Sequence, residues 1–133
     1  LMTRIFLTVV GLIYLLLSIW CSVDPASTSR SVGFTLQTGS GQSEFLVIYG
    51  GLELALGLIF LWPLWQQEVT RFALVVCVVV HGCLVLFRCI SFFVFTGIGS
   101  TTYSLAAGEW LIFLISLGFY LSQSELTQKK KIS

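Results

Sequence analysis

Charge is what this sequence has least of. Only 10% of its 133 residues are charged and 56% are hydrophobic, whereas soluble domains carry about 25% charged residues. That scarcity excludes a water-facing surface over most of the chain. The formal net charge is +1 and no basic stripe occurs, which excludes a nucleic-acid binder. There is one histidine, His81, and without a second it gives no basis for zinc or haem. Of the four cysteines, Cys77, Cys83 and Cys89 step by six residues, which turns each about 120° from the last, so the three share no helix face. They read as small apolar packing residues, as does Cys21. Also missing are a Gly-rich phosphate loop, a serine–histidine motif and a zinc-binding pair. No cofactor or metal is expected, and the chain leans away from an enzyme.

What is present is four apolar runs, over residues 5–23, 44–65, 71–95 and 103–122. A helix needs about 20 apolar residues to cross ~30 Å of hydrocarbon. Buried strands rarely exceed about 8 residues, so run length decides for helix. The expected fold is all-α, an integral membrane four-helix bundle forming one domain over residues 1–133, with a polar tail over 123–133. The first run also resembles a signal peptide, with Arg4 ahead of an apolar core. Trp20 is too bulky to precede a lipoprotein cleavage at Cys21, so an uncleaved first span is expected. Trp20, Trp62, Trp65 and Tyr103 fall near span ends, as an anchoring belt would.

Basic residues set the expected orientation. Arg4 precedes the first span, Arg71 opens the third, and Lys129, Lys130 and Lys131 follow the fourth, while the opposite side holds only Arg30. The positive-inside rule then makes both termini cytoplasmic and the 24–43 and 96–102 connections outward-facing. The lysine tail is placed to contact anionic lipid. Asp24-Pro25 forms a helix start, predicting a short amphipathic helix over 25–32 in the first outer loop. Ser43 is placed to cap the second span and Glu44 to meet its positive end. Pro63 is expected to break that span's last turn.

Four ionisable groups lie inside the apolar runs: Glu53, His81, Arg88 and Glu109. A charge at bilayer depth costs roughly 2.5–3.5 kcal/mol on insertion scales, so such groups face a protein interior, pair, or serve a function. Helix rise puts Arg88 and Glu109 both about 10 Å from the outer ends of their spans, and Glu53 close to that level. Glu53, Arg88 and Glu109, with Tyr49 and His81 near them, are expected to form one ligand-binding or structural polar cluster. Two carboxylates against one guanidinium leave excess negative charge, so Glu109 is assigned to Arg88 and Glu53 is the candidate to hold a proton. Buried polar groups also fix helix register without chemistry, and His81 alone reads as a hydrogen-bonded core histidine. Gly50, Gly51, Ala55 and Gly57 read as helix-packing residues, Gly51 and Ala55 being a small-xxx-small pair.

Ser43-Glu44-Phe45, Tyr49-Gly50-Gly51-Leu52-Glu53, His81-Gly82 with Arg88, and Ala107-Gly108-Glu109 together resemble the family of small bacterial four-helix membrane proteins catalogued as domain of unknown function 4345. The resemblance implies a bacterial inner-membrane location and the same bundle, and brings no activity or catalytic residue. A more distant similarity is to DoxX-like membrane proteins, some linked to quinone or thiol metabolism. The function favoured by the sequence is a non-enzymatic membrane component that self-associates as a homo-oligomer or joins a larger membrane complex. The alternative is a binding protein for a lipid, quinone or other amphipathic molecule. A third is an oligomeric proton-coupled transporter.

Overall fold

Apolar runs this long satisfy their backbone polar groups in lipid by coiling, since a helix makes every hydrogen bond within its own segment. The chain follows that rule in a computed structural model that describes residues 1–132, with side chains through Gln123. Its helices are α1 (Met2–Val23), α2 (Pro25–Ser31), α3 (Ser40–Phe45), α4 (Glu53–Leu61), α5 (Thr70–Val94) and α6 (Ser100–Ile132). A π-helical segment, Leu46–Leu52, joins α3 to α4 without a break. No strand occurs among the described residues. Four stretches are long and apolar enough to cross a membrane: Met2–Val23, Ser40–Leu64, Gln67–Val94 and Ser100–Gln123. The shortest has 22 residues, about 33 Å at helical rise. The contact of Lys129, Lys130 and Lys131 with lipid lies outside the described side chains.

The distribution of polarity is that of a protein dissolved in lipid. Phe93 is 92% exposed and Phe87 69%, while Ser116, Ser29 and His81 are fully buried. Water would reverse that preference; hydrocarbon imposes it.

The chain divides into two compact units, Leu1–Gln67 and Glu68–Ser133. In the first, α1 runs antiparallel to the π-helical segment and α4. Ser18 meets Gly50, Gly11 meets Gly57, and Arg4 meets Pro63. Small residues make this approach possible. A Cβ on Gly57 would come 3.2 Å from both the Gly11 carbonyl oxygen and the Leu15 amide nitrogen, and one on Gly11 would come 3.0 Å from the Gly57 carbonyl oxygen. Gly50 and Gly57 therefore sit in the seam, whereas Gly51 and Ala55 are exposed and Gly51 has nothing within 4 Å of its Cβ position. The seam's other half, Gly11 and Ser18, repeats the seven-residue spacing of Gly50 and Gly57. That matched spacing is the sequence signal for it.

Both ends of the unit are closed by named contacts. At the Pro63 end the helix gives way to a 3₁₀ turn, Trp62–Leu64. The Pro63 carbonyl left free by that change accepts a bond from Arg4 Nε at 3.0 Å. At the other end α2 is capped by Asp24, whose side chain accepts from the Ser27 amide at 3.1 Å. The inward face of α2 is Thr28 and Ser29, both buried, so it is hydroxyls that meet the protein. The second span begins at Ser40 rather than at Glu44, and Ser43 lies within α3 instead of capping it. Gly39 causes the difference. Its φ of 78° turns the chain ahead of Ser40, a conformation glycine adopts without steric penalty, and Gln42 Oε1 accepts from the Gly39 amide at 3.3 Å.

In the second unit α5 and α6 also pair antiparallel, through Phe92–Tyr103, Arg88–Glu109 and Gly82–Phe113. The Phe92 and Tyr103 rings stack at 5.1 Å. The Phe113 ring would lie 3.2 Å from a Cβ on Gly82. The turn between the helices contains Gly97 at a φ of 74°.

Candidate functional site

Each unit holds a polar centre within its span. In the first unit the centre is built on the π-helical segment, which covers the Tyr49-Gly50-Gly51-Leu52 string and ends one residue before Glu53. A π-helical turn replaces i→i+4 hydrogen bonds with i→i+5 bonds and is rare except as a local insertion. Here α1 supports it: Ser18 Oγ donates to the Gly50 carbonyl at 2.7 Å in a buried bond. Gly50 allows the two backbones to come that close, since a Cβ there would lie 2.7 Å from Ser22 Oγ. Ser18→Ala removes the donor and should cost about 1 kcal/mol, read as a lower midpoint in detergent unfolding.

Above this segment an aromatic cluster orders the chain. Phe45 and Tyr49 stack at 4.6 Å with a 24° interplanar angle, and Phe34 from the return loop lies 5.9 Å from Tyr49 and 6.3 Å from Phe45. Glu53 follows as the first residue of α4, near the middle of a 25-residue span. Its side chain is half-buried, and its Oε2 is buried with no hydrogen-bond partner among the described residues. The buried Cys21 thiol lies within electrostatic reach of it. A buried carboxylate oxygen with no donor is costly, and satisfying it takes a proton, a water or a donor from a bound molecule.

The second unit's centre differs because its charges are matched. Arg88 donates twice to Glu109, from Nε to Oε2 at 2.9 Å and from a terminal nitrogen to Oε1 at 2.6 Å. Fork-to-fork pairing of this kind is the strong, geometrically specific form of an ion pair. The two side chains are 25% and 15% exposed. Two turns back from Arg88 toward the start of α5, His81 is fully buried. Its Nδ1 lies 2.9 Å from the Cys77 carbonyl oxygen. A carbonyl only accepts, so Nδ1 carries the proton. Cys77 Sγ is 3.6 Å from the same nitrogen. Trp110 stands edge-on to Phe113 at 6.3 Å. Among the described residues no group of three His, Cys, Asp or Glu side chains could hold a metal ion.

Tyr49 and Glu53 thus belong to the first unit, and His81, Arg88 and Glu109 to the second. Ser18, and the aromatic pair Phe34 and Phe45 beside Tyr49, are site residues that sequence reasoning missed. A family model described as a domain of unknown function, number 4345, matches residues 2–121. The chain belongs to that family. The matched region of this domain-4345 protein takes in the first three apolar spans, the fourth as far as residue 121, and both polar centres. No curated protein and no solved structure matches the chain.

Proposed function

We propose that this domain-4345 protein is a membrane-embedded binding protein for an amphipathic molecule whose head carries a hydroxyl or another hydrogen-bond donor, received by Glu53. The observation that carries the reading is the buried, donorless Oε2 of Glu53. It moves the balance from the self-associating component favoured by the sequence to the ligand-binding alternative. A carboxylate in mid-span accepts hydrogen bonds strongly, because no water competes there. Arg88 and Glu109 satisfy each other, so their role in this reading is to tie α5 to α6. Binding, rather than catalysis, is the proposed role. Its proposed setting is a bacterial cytoplasmic membrane with both termini inside, from the placement of Arg4, Arg71 and the three lysines.

Donor chemistry gives the test. A fatty alcohol or quinol should bind the purified protein about tenfold more tightly than its methyl ether, the difference of one charge-assisted hydrogen bond. Equal binding of alcohol and ether would contradict the reading.

A second reading, self-association, is favoured by the exposed Gly51 and Ala55. They stand four residues apart on the outer face of the second span, with open space over Gly51. Small-xxx-small pairs of this kind let helices of neighbouring copies approach in lipid. A mass that stays monomeric by sedimentation in several detergents would rule it out.

A further inference from the structure

The connection between the first two spans forms a half-open pocket that the Glu53 reading does not use. It has a volume of about 150 Å³ and is lined by Ala26, Ser29, Arg30, Thr35, Leu36 and Gln42. All six residues come from α2, α3 and the loop between them, within a single unit. Its chemistry is one-sided, since no lining side chain is acidic and Arg30 supplies a permanent positive charge. Arg30 has no ion-pair or side-chain hydrogen-bond partner among the described residues. Gln42 is oriented by its Oε1, which accepts from the Gly39 amide, and that leaves its amide NH₂ free to donate. Thr35 adds a hydroxyl. Ser29 Oγ is engaged, donating to the Ala26 carbonyl at 3.2 Å.

The position of the cavity narrows the choice of anion. α1 ends at Val23 and the second span begins at Ser40, both at the limit of a membrane-length helix. The cavity therefore lies where two spans leave the hydrocarbon, at the level of lipid headgroups. A guanidinium there, in one pocket with neutral donors, matches a phosphate group in charge and in hydrogen-bonding chemistry.

We propose that this cavity is a phosphate-binding site, with Arg30 as its charged ligand and Gln42 and Thr35 as neutral donors, and that its natural occupant is the phosphate of a phospholipid headgroup. The bound lipid would pin α2 to the membrane surface and hold the loop that carries Phe34 against Tyr49.

The test uses the full chain in detergent micelles, titrated with short-chain phosphatidylcholine, whose head carries a phosphate but no hydrogen-bond donor for Glu53, and followed by native mass spectrometry. Arg30→Gln should lower lipid occupancy about fivefold, the effect of one basic residue at a membrane surface. Arg30→Lys should recover part of it. Competition by inorganic phosphate would identify a site that reads the phosphate alone, and resistance to competition would identify a headgroup held by its glycerol and tails as well. Unchanged occupancy in both Arg30→Gln and a Thr35→Val/Gln42→Leu variant would overturn the proposal. Glu53→Gln should leave this occupancy unaltered, so the site can fail while the Glu53 reading stands, and the reverse.

Discussion

Gly57→Val should prevent the first unit from closing, lowering its stability by about 3 kcal/mol, at the upper end of overpacking effects. The atoms that a side chain would meet are the Gly11 carbonyl oxygen and the Leu15 amide nitrogen, each 3.2 Å from the Cβ position. Both belong to the α1 backbone, so neither moves without displacing the helix. Separating α1 from α4 would also stretch the Ser18–Gly50 bond and the Tyr14–Phe60 edge contact, at 5.6 Å in the intact seam. In lipid that seam has no hydrophobic driving force to restore it, because association rests on close packing and hydrogen bonds. Gly57→Ala should show a smaller loss of about 1 kcal/mol, since a methyl needs only tenths of an ångström. Gly51→Ala, with open space around it, should change stability by less than ~0.5 kcal/mol. Reversible unfolding in mixed micelles measures all three. A Gly57→Val protein as stable as the wild type would show that the seam is not where the first unit is held.

Breaking the Arg88–Glu109 pair from one side should cost about 3 kcal/mol, while replacing both members by apolar residues should cost far less. The reason is desolvation: Arg88→Met leaves Glu109 as an uncompensated charge at membrane depth, and Glu109→Leu leaves Arg88 so. The double variant Arg88→Met/Glu109→Leu removes both charges and keeps side-chain volume between α5 and α6. Its stability should return to within about 1 kcal/mol of the wild type. A double-mutant cycle reads the coupling directly. Additive losses would mean that each side chain acts through a different partner. Because the proposed ligand is received by Glu53, this double variant should still retain it.

How far the sequence could be read depended on what kind of physics each feature obeys. The helices are legible because run length alone separates a span from a strand, and the short α2 is legible because Asp24-Pro25 is a start signal of known mechanism. Arg88 and Glu109 can be placed level from helix rise, and the two side chains do meet. Helix entry was harder. Ser43 and Glu44 resemble a capping pattern, but the turn at Gly39 starts the helix earlier, and a positive φ leaves no periodicity to detect. The packing seam was ambiguous for a related reason. Gly50, Gly51, Ala55 and Gly57 supply small residues to two helix faces, and only the facing helix decides between them. Gly11 and Ser18 on α1 make that choice, selecting Gly50 and Gly57. The π-helical segment was not legible at all, since hydrophobic runs carry no mark of i→i+5 bonding where every residue is apolar or glycine.

The same blindness applies to Glu53. Its presence in a span is plain from the sequence, but its lack of a donor emerges only when the side chains of the folded chain are in place. Composition shows that a carboxylate is expensive there; the fold shows that its own surroundings leave Oε2 unsatisfied.

The most direct measurement is the small-molecule content of the protein extracted gently from its own membrane, compared between wild type and Glu53→Gln with folding checked in parallel. The wild type should carry a near-stoichiometric amphipathic molecule bearing a hydroxyl, and the variant about tenfold less. Equal content in two folded proteins, or a folded wild type that carries nothing, would contradict the Glu53 reading.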